Sequence, residues 1–125
     1  MRILALVSLL TASSAFAAVD HDAAFKADIA PILQKSCVGC HQAKEGKKPK
    51  GGFDATSLAN VVKGGKEAGA GITWGDISKS SLYKSCELGI SNPDDDAAMP
   101  PKKKKDRVAL TKEQLAKLKA FIEAK

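Results

Sequence analysis

Cys37-Val38-Gly39-Cys40-His41 is the stretch on which the reading of this chain turns. Two thiols three positions apart, followed at once by a histidine, form the C-x-x-C-H pattern of covalent haem attachment. The chemistry accounts for the spacing. Each thiol can add across one haem vinyl group and leave a thioether. The residue that follows then lies under the iron, where His41 can serve as proximal ligand. Two other chemistries use the same pair. A redox dithiol places it at the end of a strand in a βαβ unit, and no such alternation is present here. A structural zinc site takes four ligands. With three cysteines and two histidines in the chain, it would have to recruit Cys86 or His21 at irregular spacing.

Upstream of the motif lies a leader. Met1-Arg2 is a positive start, Ile3 to Leu10 a short apolar run, and Ala15-Phe16-Ala17 an A-x-A cleavage pattern. This predicts a secretory signal peptide over residues 1–17 and one domain over residues 18–125. The apolar run is too short to span hydrocarbon, which takes about 20 residues, and no later segment is longer or more apolar. Export to the periplasm is therefore expected. It would put the cysteines in an oxidising compartment, where an unclaimed C-x-x-C pair tends toward a disulfide. Haem attachment claims it.

The chain carries a formal charge of +6, of which the leader contributes only Arg2. One Trp, one Tyr and, outside the leader, three Phe make a modest core. A large apolar cofactor would supply much of the remainder and would couple folding to its binding.

Helical spacing dominates the chain, and no strand pattern exceeds three residues. Phe25, Ile29, Ile32 and Leu33 make one apolar face, predicting a helix from an Asp22 cap to about Lys35. Pro31 should break or kink it near Ala30. Residues 42–52 have loop composition, rich in Gly and Lys with Pro49. A short helix is expected over Asp54 to Lys63, stopped by Gly64-Gly65. Another should follow a cap at Asp76 or Ser78, carry Leu82, Tyr83 and Cys86, and end at Gly89. Ser91 to Lys105 reads as loop. The last helix has the clearest start. Thr111 with Gln114 forms a capping box, with Leu110 and Leu115 as a hydrophobic staple. Leu115, Leu118, Phe121 and Ile122 form its buried face. The expected class is all-α, with short helices joined by long Gly/Pro loops. Such loops are uncommon unless functional, and a haem wrapped by them would explain them.

The second axial ligand must come from far along the chain. Met99 is the one methionine outside the leader. It sits in Met99-Pro100-Pro101, where each proline disfavours helix at the residue before it. A lone methionine is ordinarily core packing. A stiff Met-Pro-Pro loop after an exported C-x-x-C-H favours ligation, with His21 as the alternative ligand.

As an ordered set these residues resemble the class I cytochromes c, and most closely the planctomycete-type cytochrome c domains. The matching residues are Phe25, Asp28-Ile29-Ala30-Pro31-Ile32-Leu33, Cys37 to His41, Lys50-Gly51-Gly52-Phe53-Asp54 and Gly64-Gly65. Trp74-Gly75-Asp76, Ser81-Leu82, Met99-Pro100-Pro101, Leu110-Thr111 and Phe121-Ile122 complete the set. Phe121 stands where family members often have Trp, and Trp74 where they often have Pro. The resemblance implies a class I fold in which the first and last helices cross. The Phe25/Ile29 face would meet the Leu118/Ile122 face, and the Met99 loop would close the haem pocket opposite His41.

The expected function is one-electron transfer by a single covalent haem c with His41/Met99 ligation, not enzymatic catalysis. An open sixth site, suited to gas binding or peroxide chemistry, is the rival. Trp74 is a candidate donor to a haem propionate, or else it packs at the haem edge. Tyr83 is expected in the core, Cys86 as an inert core thiol, and His21 in solvent. Lys102 to Lys105 with Arg107 would be solvated surface, or a basic rim steering an acidic redox partner. Nucleic acid is not an expected partner, and a monomer is expected.

Overall fold

The computed structural model describes residues 17–125. Apart from Ala17, the expected leader lies outside the described residues. Within them the chain forms helices and loops, with only isolated bridges at Lys44–Lys47 and Gly65–Gly69. The α-helices are α1 (His21–Ala24), α2 (Ala30–Ser36), α3 (Leu58–Lys63), α4 (Ser81–Ser91) and α5 (Lys112–Glu123). A π-helical segment, Phe25–Ile29, joins α1 to α2, and 3₁₀ turns occupy Lys50–Gly52 and Ile77–Lys79. The all-α expectation is met.

Of the break or kink expected near Ala30, the structure shows no break. The Ala30 N–H reaches back five residues to the Phe25 carbonyl, so the helix widens just before the proline. Proline lacks an N–H and its ring collides with the carbonyl four residues back. A π turn at that point changes the hydrogen-bond register and accommodates both defects. The helical path continues into α2 and delivers the chain to Cys37.

Several caps shift because short polar side chains offer the backbone local alternatives. Asp20, not Asp22, caps α1, its Oδ1 accepting from the Ala23 N–H at 3.0 Å. Asp54 does not start α3. Its carboxylate accepts from the Thr56 N–H at 2.9 Å and from the Thr56 hydroxyl, holding a turn, and Ser57 caps the helix at Leu58. Gly64 ends α3 with φ +80, and a Cβ there would overlap the Gly69 carbonyl oxygen. Asp76 caps only the 3₁₀ turn, while α4 starts at Ser81 and runs through Gly89 to Ser91. The capping box of α5 forms as expected. Gln114 N–H donates to Thr111 Oγ1 at 3.1 Å, and Thr111 N–H to Gln114 Oε1 at 2.9 Å.

The core lies between the first and last helical elements. α5 packs against the π segment and against α4. Phe25, Ile29 and Leu33 are buried together with Leu118, Phe121 and Ile122, and the Phe25 and Phe121 rings lie 6.2 Å apart. This is the pairing of faces that the resemblance implies. Ile122 is wholly inaccessible. Ile122→Ala is expected to lower stability by ~2–5 kcal/mol through lost burial and a residual cavity. Denaturant titration checks this, and a loss well under 1 kcal/mol would mean that α5 is not seated as described.

Candidate functional site

The motif leaves α2 as a tightly bonded turn. The N–H groups of Cys37 and Val38 both donate to the Leu33 carbonyl, at 2.8 and 3.0 Å. Those of Cys40 and His41 both donate to the Cys37 carbonyl, at 3.1 and 2.9 Å. Four-residue spacing on such a turn sets Cys37 and His41 on one side, and both line one cavity. Cys40 is half-buried on the same turn.

The loop after the motif fixes the imidazole. Lys50 N–H donates to the Cys40 carbonyl at 3.2 Å, and Ala55 N–H to the His41 carbonyl at 2.7 Å. The Lys50 carbonyl lies 3.0 Å from His41 Nδ1. A carbonyl can only accept, so Nδ1 carries the proton and Nε2 keeps its lone pair for a metal. Phe53 adds an edge-on contact, its ring centre 5.2 Å from that of His41. The Gly/Lys loop is thus the brace of the histidine.

The cavity measures about 460 Å³, and its lining includes Cys37, His41, Phe53, Leu82, Cys86 and Met99. That lies within the ~300–1,000 Å³ typical of small-molecule and cofactor sites. Its donors suit a haem: an imidazole with a free Nε2, a thioether from a distant segment, and a thiol at the wall. Burial pushes the Cys37 thiol up to about 11, despite the opposing charge of Lys104. At neutral pH this sulfur is therefore un-ionised, which disfavours nucleophilic dithiol chemistry. A thioether bears no charge and loses nothing by the same burial. Among the described residues no group of three or more His, Cys, Asp or Glu could hold a metal ion, so a four-ligand zinc site finds no support. Cys86 is 1% exposed, and burial pushes its thiol up as well, as expected for an inert core cysteine.

Met99 reaches the cavity from the loop after α4. Its N–H donates to the Ser85 carbonyl at 2.9 Å. Gly89, expected to end the helix, instead lies within it where the Met99 backbone passes: a Cβ at Gly89 would overlap the Met99 carbonyl oxygen. Arg107, grouped by sequence with the surface lysines, is half-buried and donates from Nε to the Pro100 carbonyl at 2.8 Å. Its Nη2 donates to the Gly89 carbonyl.

Trp74 and His21 are not among the residues that line this cavity. Trp74 is 39% exposed and packs on His21 and Phe121, with ring centres 4.0 and 5.3 Å away. The Gly75 N–H bonds the Ile122 carbonyl at 2.8 Å, tying this corner to α5 rather than to the cavity wall. His21 is half-buried under the indole rather than solvated. Tyr83 is in the core as expected. The basic run is not uniform. Lys102 binds both oxygens of Asp94, at 2.8 and 2.9 Å, whereas Lys104 lies back over the motif, its Nζ 3.6 Å from a Cβ built on Gly39.

A family model described as Cytochrome c matches residues 27–124. No curated protein and no solved structure matches the chain significantly.

Proposed function

Because the chain belongs to the cytochrome c family of haem-binding electron carriers, we propose that it is an exported monohaem carrier in which Cys37 and Cys40 would hold the haem through thioethers and His41 and Met99 would ligate its iron. The observation that carries this reading is the convergence of Cys37, His41 and Met99, from two distant segments, on one cavity. The leader over residues 1–17 would direct the domain over residues 18–125 to the periplasm, where it acts as a monomer. The ordered residues from Phe25 to Ile122 favour the planctomycete type within the family.

Bound haem supplies an iron that alternates between ferrous and ferric states. The chain's residues set the terms. His41 presents Nε2 because its Nδ1 proton is committed to Lys50. The Met99 thioether, as a ligand, would favour ferrous iron and raise the potential relative to a second histidine. Phe53 and Leu82 keep the pocket apolar. His41 and Met99 stand on backbone-anchored segments, which would keep the two ligating side chains in place in either oxidation state and so lower the reorganisation that opposes electron transfer.

Lys104 lies over the motif, and Lys44, Lys47 and Lys48 are exposed on the loop that braces His41. An acidic redox partner fits this face. Its association rate is expected to fall steeply as salt rises across the Debye range, measured by stopped-flow reduction with an acidic donor. A salt-independent rate would argue against such a docking face.

Absorbance of the haem-matured protein, oxidised and then reduced, tests the ligation. A low-spin c-type spectrum with the far-red methionine–ferric band is expected. A high-spin ferric spectrum would move the function to ligand binding or peroxide chemistry.

A further inference from the structure

Met99 is the ligand with the weakest local support. It lies in a loop, and its N–H bond to Ser85 is its own tether to α4. Two further features bear on its backbone, and neither belongs to the ligand set. The first is Gly89, whose missing side chain lets the Met99 carbonyl pass against α4. The second is Arg107. A helix carbonyl at position 89 would bond the N–H at position 93, but residue 93 is proline and has none. The Gly89 carbonyl is left free near the C-terminal end of α4, where a cation is favoured. The Arg107 guanidinium fills that vacancy from Nη2 and bonds the Pro100 carbonyl from Nε. One planar fork thus joins the end of α4 to the residue directly after Met99.

We propose that Arg107 is a positioning residue: by bridging the Gly89 and Pro100 carbonyls it latches the Met99 loop onto α4 and sets how firmly the thioether holds the sixth coordination position. This rests on Met99 being that ligand. The latch has a definite chemistry. Guanidinium offers donors in a fixed fork that can meet two carbonyls at once, whereas a lysine ammonium is a single point charge on a flexible stem. Arg107 therefore differs in role from its neighbours Lys103 and Lys105, which are exposed.

The test uses the ferric haem-loaded protein, with imidazole as the probe for an open sixth position. Apparent affinity for an added ligand scales with the fraction of molecules in which Met99 is off. Arg107→Ala is expected to weaken the far-red methionine band and raise imidazole affinity about tenfold, which corresponds to ~1.4 kcal/mol. Arg107→Lys should fall between it and wild type. Met99→Ala gives the fully open limit. Thr111→Ala, which loosens the cap of α5 without touching the loop, separates general destabilisation from the latch and should leave the band and the imidazole affinity unchanged. If Arg107→Ala does not fold, Arg107→Lys and Arg107→Gln carry the comparison. Variants with wild-type band and affinity, beside an open Met99→Ala, would overturn the latch while keeping the ligand. The latch is equally overturned if Thr111→Ala opens the site as much as the Arg107 variants do. A Met99→Ala protein that binds imidazole no better than wild type would overturn the ligand reading and the latch with it.

Discussion

Cys37→Ser/Cys40→Ser is expected to abolish covalent haem retention. After acid–organic extraction the wild-type protein should keep its haem, and the double variant should release all of it. Serine preserves the size of the side chain but offers no sulfur, and thioether formation is the step removed. The loss should extend to folding. The cavity of about 460 Å³ is bordered by core residues, and a structural group that binds only the folded chain adds its binding energy to stability. A single variant at either position should retain haem through one thioether and release it more readily under denaturant. A double variant that still carried acid-resistant haem would place the attachment elsewhere, with Cys86 the remaining thiol.

Met99→Ala has the second large effect. The thioether is a soft, neutral donor that favours ferrous iron. Removing it should lower the potential by at least ~59 mV, a tenfold change in a one-electron equilibrium. Equilibrium titration with redox mediators reads this directly. The fold should survive better than in the cysteine variants, because Met99 is only half-buried and its loop keeps the backbone bond to Ser85 and the bond from the Arg107 side chain to the Pro100 carbonyl. An unchanged potential, with an unchanged ferric spectrum, would transfer the sixth position to another side chain. His21 is poorly placed to take it, stacked as it is on Trp74.

What the sequence disclosed divides by range. The α5 start was legible because a capping box is written in four consecutive residues, and Thr111 and Gln114 do what that pattern says. The apolar faces of Phe25/Ile29 and Leu118/Ile122 were legible from period alone. The C-x-x-C-H stretch and the Met-Pro-Pro loop stood out by their local pattern, and the structure brings Cys37, His41 and Met99 to one cavity. Boundaries moved by a few residues where Asp20, Asp54 and Asp76 had competing local bonds to make.

The features that escaped the sequence are long-range. Gly89 reads as a helix stop, and only the passage of Met99 across it gives the glycine another reason. Arg107 reads as one more charge in a basic run, and the carbonyl left free by Pro93 distinguishes it. The packing of Trp74 on His21 and Phe121, beside the backbone bond between Gly75 and Ile122, is likewise a contact that no local pattern announces. The proline in the first helix signalled a defect correctly but not its form. A π turn and a break both answer a missing N–H, and the packing of the Phe25–Ile29 face on α5 favours the continuous one.

Mass spectrometry of the peptide spanning residues 37–41, taken from protein matured with haem-attachment machinery, tests the central claim most directly. One haem mass on that peptide, absent from the peptide containing Cys86, is the expected result. An unmodified peptide, or one carrying an internal disulfide between Cys37 and Cys40, would contradict it.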